Sequence, residues 1–251
     1  MSVPRERFVT AIRGGSPESV PKYAEFTPHQ LKVLKEKTAH DVPDTYFHSE
    51  MREMFFPPSD VGQDFSRYLG EMPEGSYVTE WGVGERPANL FHLTGMVHSM
   101  RAFTRVEEVE AYPWPDFEAE YRHKDLEERI AVVQAQGLAV VSEWTTIFEQ
   151  AWYLRGFEQM MMDFYENPEL AEAILDRVTD ISCFVSRRFA EAGADLVRTG
   201  DDIGMQQCML MSPEMWREWL KPRLQRLIRE VKKANPSAVL LYDSDGNFAP
   251  V

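Results

Sequence analysis

The sequence predicts an α/β fold in which parallel strands alternate with helices. Three observations carry that expectation. Between residues 138 and 242, short apolar runs of strand length alternate with long amphipathic stretches, in the order strand, helix, strand, helix, strand. The helical stretches are long enough to serve as crossovers, which implies parallel strands joined by right-handed connections. Asn167-Pro168 and Ser212-Pro213 each place a capping side chain before a proline, the signature of a helix start. This pattern admits a (β/α)8 barrel or an open doubly wound sheet.

Residues 3–14 read as a short amphipathic helix closed by Gly14-Gly15. Residues 20–26 follow as a first strand. Residues 27–76 are polar and broken by Pro43, Pro57-Pro58 and Pro73, so 1–76 form a helical and irregular N-terminal region. Residues 77–83 form a second extended segment. Thr104 followed by Glu107 predicts a capping box. Pro113 and Pro115 end that helix, and a charged helix covers about 117–136. Gly137 introduces a strand at 138–143. Leu170, Ile174, Val178, Ile181, Val185 and Phe189 then line one face of a long helix that stops at Gly193. A strand at 195–199 follows. The next helix carries a stripe of Met215, Trp219, Leu220, Leu224, Leu227, Ile228 and Val231, with a kink at Pro222. Asn235-Pro236 ends it before a strand at 238–243. The chain reads as one domain, 1–251, with about five strands.

Composition narrows the function classes. The 251 residues carry 27 Lys and Arg against 41 Asp and Glu, a net charge of −14. Phosphate binding needs clustered cations, so nucleic acid is not the expected partner. No window of 18 apolar residues predicts a membrane span. Residues 1–13 lack the apolar core of a signal peptide, so a cytoplasmic protein is expected. Two cysteines cannot build a disulfide scaffold. Gly82-Val83-Gly84 lacks the third glycine of a dinucleotide loop, and no P-loop is present.

Three polar segments follow predicted strands, where α/β enzymes gather their chemistry. Ser142-Glu143-Trp144 leads into Phe148-Glu149-Gln150-Ala151-Trp152. A carboxylate beside tryptophans at a buried strand end can hold a raised pKa and act as an acid; the competing reading of Glu143 and Glu149 is a helix cap. Gly200-Asp201-Asp202-Ile203-Gly204-Met205-Gln206 is the second. Its adjacent acids point to opposite sides of an extended chain, so one reaches the mouth; the alternative is an Asx turn. In Tyr242-Asp243-Ser244-Asp245-Gly246-Asn247, Asp243 and Asp245 share a face if the chain stays extended. They can then hold a cation or share a proton, or simply cap a turn. Leu241 at the first loop position excludes an EF-hand. Histidines 29, 40, 48, 92, 98 and 123 form no HExxH and read as ordinary surface or core residues. Cys183 reads as core, and Cys208 as a thiol just beyond the acidic loop.

Taken together, several stretches resemble the uroporphyrinogen decarboxylase superfamily, and its decarboxylase-like methyltransferase branch most closely. They are Arg5-Glu-Arg-Phe with Ser19-Val-Pro21, Phe148-Glu-Gln-Ala-Trp152 with Arg155-Gly-Phe-Glu158, and Gly193-Ala-Asp-Leu-Val197. Gly200-Asp-Asp-Ile-Gly204 with Gln206, Ser212-Pro-Glu-Met-Trp216 with Pro222, and Asp243-Ser-Asp-Gly-Asn247 complete the set. The resemblance implies a (β/α)8 barrel. With about five of eight strands, such a barrel is incomplete, and a truncated family member is expected. The resemblance also implies a methyl group moved between a small molecule and a corrinoid, with a corrinoid protein as partner. Zinc-dependent relatives carry His-x-Cys where this chain has Asp243-Ser-Asp245, so the implied metal is zinc held by Asp243 and Asp245. Asp202, Glu149 and Asp245 are the expected catalytic residues. Gln206, Glu143 and Trp152 are the expected substrate or cofactor contacts.

Two other functions compete. Porphyrinogen decarboxylases carry an Arg-Gln-Ala-Gly-Arg segment whose arginines bind substrate carboxylates; Lys22-Tyr-Ala-Glu-Phe26 stands here instead, which counts against that chemistry. The third expectation is a non-catalytic ligand-binding relic or an inactive fragment, motivated by the carboxylates at the ligand positions and the small strand count.

Overall fold

The computed structural model describes residues 2–88 and 94–251. In chain order it contains α1 (Pro4–Ile12), α2 (Pro28–Thr38), α3 (Pro43–Tyr46), β1 (Met51–Met54), α4 (Ser66–Leu69), β2 (Tyr77–Val78), β3 (Gly84–Pro87), β4 (Thr94–Val97) and α5 (Val106–Glu110). There follow α6 (Leu126–Ala135), β5 (Ala139–Ser142), β6 (Thr145–Thr146), α7 (Phe148–Arg155), α8 (Phe157–Glu166), α9 (Pro168–Glu191), β7 (Val197–Gly200), α10 (Pro213–Trp219), α11 (Lys221–Ala234) and β8 (Leu240–Asp243).

The strands that organise the molecule are parallel. β1 pairs with β5, β6 with β7, and β7 with β8. A bridge between Val141 and Leu196 joins the two groups, so the run is continuous. β5 and β6 are one strand interrupted at Glu143-Trp144, where Glu143 N–H donates to Met54 O at 2.8 Å and carries the β1 ladder one step further. β2, β3 and β4 form a separate antiparallel meander.

The long helix α9 buries the predicted stripe of Leu170, Ile174, Val178, Ile181, Val185 and Phe189. Six such side chains contribute on the order of 10 kcal/mol of gross burial before chain entropy is counted. Val140 of β5 packs on its C-terminal half with Leu126 and Ile130 of α6. α11 runs along the other side of α9, with Arg223–Asp176 and Arg226–Asp180 ion pairs at 2.6 Å between them. α1 closes the N-terminal end of the strands. Phe8 packs on Met51, Ala139, Val141 and Leu196, and Arg5 pairs with Asp195 at 2.8 Å.

Several expectations need correction. Residues 20–26 form no strand. Val20 is 82% exposed, and Lys22 N–H donates to the Glu50 carboxylate instead of to a neighbouring backbone. Of 77–83 only Tyr77–Val78 is strand, and it belongs to the antiparallel meander. The chain turns at Gly82, φ +81°, whose N–H returns to Thr79 O. β1, inside the supposedly irregular region 1–76, supplies a parallel strand instead. The parallel run therefore has four strands among the described residues, not five. The helix expected over 117–136 starts at Leu126, because Arg122 folds over the Phe117 ring and pairs with Glu80 at 3.0 Å. The capping acid of α5 is Glu108, which accepts from Thr104 and Arg105 N–H, rather than Glu107. At Pro222 the expected kink is a full break between α10 and α11. His92 lies outside the described residues. No helix among the described residues is long and apolar enough to cross a membrane.

Candidate active site

The C-terminal ends of β6, β7 and β8 bring the acidic segments together. The Ile147 side chain cannot cap α7. That task falls to Asp201, just past β7, whose Oδ1 accepts from Ile147 N–H and Glu149 N–H, both at 2.9 Å. Asp201 N–H in turn donates to Asp243 O at 3.1 Å. Asp201 thus ties three strand ends together, its carboxylate to the turn after β6 and its backbone N–H to the end of β8. Burial pushes the Asp201 pKa up to about 7 against the opposing pull of its backbone donors.

Glu149 stands in the first turn of α7 and is only 6% exposed. Its Oε1 accepts from the Tyr153 hydroxyl, one helical turn on. Its Oε2 is buried without a hydrogen-bond partner. Burial, reinforced by the charges of Asp202 and Asp245, raises its pKa. Asp202 is half-buried, and its Oδ1 accepts from Asp245 N–H at 2.8 Å. Glu149 therefore lies within electrostatic reach of Asp202 and Asp245. Tyr242, whose hydroxyl is shifted upward by burial and by Asp201, Asp202 and Glu149, borders it. Trp152 stacks edge-on against Tyr153 at 4.3 Å. His98 Nδ1 contacts Tyr153 O at 2.8 Å and Arg155 donates to Met100 O, so the segment after β4 braces α7.

The loops carrying Asp202 and Asp245 touch through glycines. A Cβ on Gly204 would lie 2.7 Å from Asn247 N, and one on Gly246, φ +82°, would lie 2.5 Å from Gly204 C. Asn247 N–H donates to Met205 O at 2.7 Å across this contact.

Asp243 and Asp245 part company. β8 ends at Asp243 and the chain bends through Asp245, so the extended geometry that would align them stops short. Asp243 accepts from Arg198 at 2.8 Å. Arg198 projects from β7 into a second cluster, where it also pairs with Glu25 and lies 3.8 Å from Glu53. Tyr23 hydrogen-bonds both acids, and the Arg198 guanidinium sits 4.7 Å from the Trp144 ring centroid. A zinc ion implied by the resemblance does not fit this donor set. Asp243 is engaged by a guanidinium, imidazole and thiolate are both missing, and among the described residues no three His, Cys, Asp or Glu side chains could hold a metal ion together.

Glu143 is not brought to the Glu149 cluster. Its Oε1 accepts from Phe56 N–H at 3.1 Å, and burial pushes its pKa up to about 7. It borders a cavity of about 70 Å³ with Trp81, Phe117, Trp144, Gln150 and Ile181. Gln206 lies exposed on the loop after Asp202. The larger clefts, about 580, 440 and 400 Å³, open beside α5, between α8 and α10, and beside Tyr121. Electrostatic coupling of Glu149 with Asp202 and Asp245, not cavity size, marks the candidate site.

Sequence reasoning passed over Asp201, Tyr153 and Arg198. Tyr153 was within reach as the i+4 neighbour of Glu149. Nothing local in the sequence ties Asp201 to α7. Arg198 was hidden inside a strand.

Residues 95–248 match the family described as Uroporphyrinogen decarboxylase (URO-D). A methyltransferase from Methanosarcina mazei is similar in structure, with a TM-score of 0.64 and 17% identity, over 100% of this chain and 72% of that one. No curated protein matches. The fold is of the (β/α)8 barrel type, and the described residues supply four parallel strands of it. With more than half of its length matched, the chain belongs to the uroporphyrinogen decarboxylase family.

Proposed function

We propose that the chain is a methyltransferase of this family, moving a methyl group between a small molecule and a corrinoid carried as co-substrate by a partner protein. One observation carries the preference over porphyrinogen decarboxylation. Arg198, a cation beside these strand ends, is already matched by Glu25, Glu53 and Asp243, while Glu149 lies within electrostatic reach of Asp202 and Asp245. A substrate bearing eight carboxylates needs cationic partners and meets acids here. A small neutral or cationic substrate meets no such penalty.

In this reading Asp202 and Asp245 orient the small molecule. Glu149, whose pKa burial raises, exchanges a proton with the atom that the methyl group leaves. Trp152 and Tyr153 lie beside Glu149 on α7. The test is direct. The purified chain is mixed with methylcobalamin, or with reduced cobalamin and a panel of methylated donors, and the cobalamin spectrum is followed. Methyl transfer that Asp245→Asn slows at least tenfold supports the reading. Loss of carbon dioxide from a porphyrinogen, with no change in the cobalamin spectrum, replaces it with the decarboxylase. Neither activity leaves the non-catalytic ligand-binding reading.

A further inference from the structure

We infer that the cavity between Glu143, Trp144 and Gln150 is a binding site for a small primary carboxamide. It is not lined by Glu149, Asp202 or Asp245, and the inference does not depend on the methyltransferase reading.

The cavity lies at the interruption between β5 and β6, against α9. Phe117, Ile181 and Val185 give it apolar walls, and Glu143, Trp144 and Gln150 give it polar ones. Two donors there are unspent. Trp144 Nε1 and Gln150 Nε2 are both buried, and neither has a hydrogen-bond partner among the described residues. A buried N–H in that state has lost its hydration without compensation, and an acceptor placed against it recovers the loss. Thr145 and Ser182, which also line the cavity, are already paired. Thr145 Oγ1 meets Ser186 Oγ at 3.0 Å, and Ser182 Oγ donates to Thr146 O at 3.0 Å. Glu143 Oε1 accepts from Phe56 N–H, which leaves its second oxygen to accept from a ligand.

Size, charge and hydrogen-bond pattern select the ligand. An apolar cavity of about 150 Å³ holds benzene, so one half as large holds about three or four non-hydrogen atoms; this cavity measures about 70 Å³. The described residues that line it include no Lys, Arg or His. A bound anion would sit beside Glu143 without a counter-charge, and a cation would meet two N–H donors, so a neutral molecule suits the site. The pattern asks for an acceptor and a donor on different atoms. A carboxamide carries both. Its carbonyl oxygen has two lone pairs, one for Trp144 Nε1 and one for Gln150 Nε2, and its NH₂ donates to the Glu143 carboxyl group. Trp144 belongs to the strand interruption and Gln150 to α7, so the bound molecule bridges two elements that share no side-chain hydrogen bond through these donors.

The experiment is an NMR titration of the full 251-residue chain with acetamide, acetone and acetate, read at the tryptophan indole N–H and backbone amide resonances. Trp144→Phe keeps a ring beside Arg198 and assigns the Trp144 indole signal by its disappearance. Acetamide is expected to shift that signal to saturation. Acetone, which has no N–H to give, and acetate, which carries a charge, bind at least tenfold more weakly. Trp144→Phe and Gln150→Met each remove one donor and weaken acetamide about tenfold, the size of one lost hydrogen bond; the backbone amides of Thr145 and Thr146 report binding where the indole is gone. Neither variant lowers the thermal midpoint of the free chain, because each deletes a donor that has no protein partner there. Water is the competing occupant, and it gives a different result: both variants melt below the parent and acetamide leaves the Trp144 indole unmoved. That result, equal binding of acetone or acetate, or unchanged acetamide affinity in both variants would overturn the inference.

Discussion

Asp201→Ala tests the arrangement at its centre. The substitution strips the N-terminus of α7 of its side-chain acceptor among the described residues and leaves the buried Ile147 and Glu149 N–H groups unpaired. Each orphaned donor costs about 1–3 kcal/mol, and lost caps measured elsewhere cost about 1–2 kcal/mol. Removing a buried acid returns part of that, so the expected loss is about 3 kcal/mol at pH 6. There Asp201, with its pKa pushed up to about 7, is largely neutral. Asp201→Asn keeps a carbonyl oxygen in place and costs about 1 kcal/mol or less. Urea unfolding followed by tryptophan fluorescence and far-UV circular dichroism measures both, with the m-value as a check on two-state behaviour. The reasoning fails if Asp201→Ala lies within about 0.5 kcal/mol of the parent, or if Asn is as costly as Ala. A pH series adds the sign. The folded pKa lies above the ordinary 3.8, so this group's contribution is fully present below pH 4 and lost as pH rises through 7. Three pH units bound the loss at about 4 kcal/mol. Asp201→Asn removes that share, so its stability curve is flatter between pH 5 and pH 8.

Other expectations follow from the same contacts. Arg155 and Asp163 form a pair 2.6 Å apart, exposed by 4% and 2%; Arg155→Ala leaves an unpaired buried carboxylate and costs about 3–5 kcal/mol by chemical unfolding. Glu143, with its pKa pushed up to about 7, is charged at a cost above that pH, so Glu143→Gln stabilises by about 1–2 kcal/mol at pH 8.5 and by little at pH 5; a gain equal at both values counts against burial as the cause. Gly204→Ala drives a Cβ to within 2.7–2.8 Å of the Asn247 and Asp245 backbone. Amide hydrogen exchange is expected to quicken in both loops while α9 stays protected.

How much was legible follows from where each signal sits. The face of α9 recurs every three or four residues over six turns, and no tertiary contact competes with it. The strands at 138–143, 195–199 and 238–243 are apolar because helices cover them. β1 has no such run. Met51 and Glu53 lie on one face and Arg52 and Met54 on the other, so each face mixes apolar with charged and the alternation cancels. Its charges are satisfied by distant partners, Glu53 by Tyr23 and Arg198, which no local window contains. Residues 20–26 failed for the converse reason. Val20, Tyr23 and Phe26 suggest a strand, but Tyr23 and Glu25 reach back to the β1 and β7 side chains and no backbone ladder forms. At the site, the acid-bearing segments were legible because polar residues directly after buried strands have few structural reasons to be there. The pairing of Asp243 with Arg198, and the bend after β8 that separates it from Asp245, needed the folded chain.

The neighbours Asp201 and Asp202 explain why a correct segment did not identify its residues. Alternation sends adjacent side chains to opposite sides, so one of them had to meet the layer of helices and the other the open end. What decides between them is the N-terminus of α7. Its unpaired N–H groups and positive dipole end draw the acid on that side into the core and fix it there. Asp201 is therefore spent on holding Glu149 in place, and Asp202 is left within electrostatic reach of Glu149. The two should separate cleanly by experiment. Asp202→Asn leaves unfolding stability within about 0.5 kcal/mol while slowing methyl transfer. Asp201→Ala lowers stability first and affects turnover only through the displaced Glu149. If Asp202→Asn unfolds the protein and leaves turnover intact, the two acids have been assigned the wrong way round.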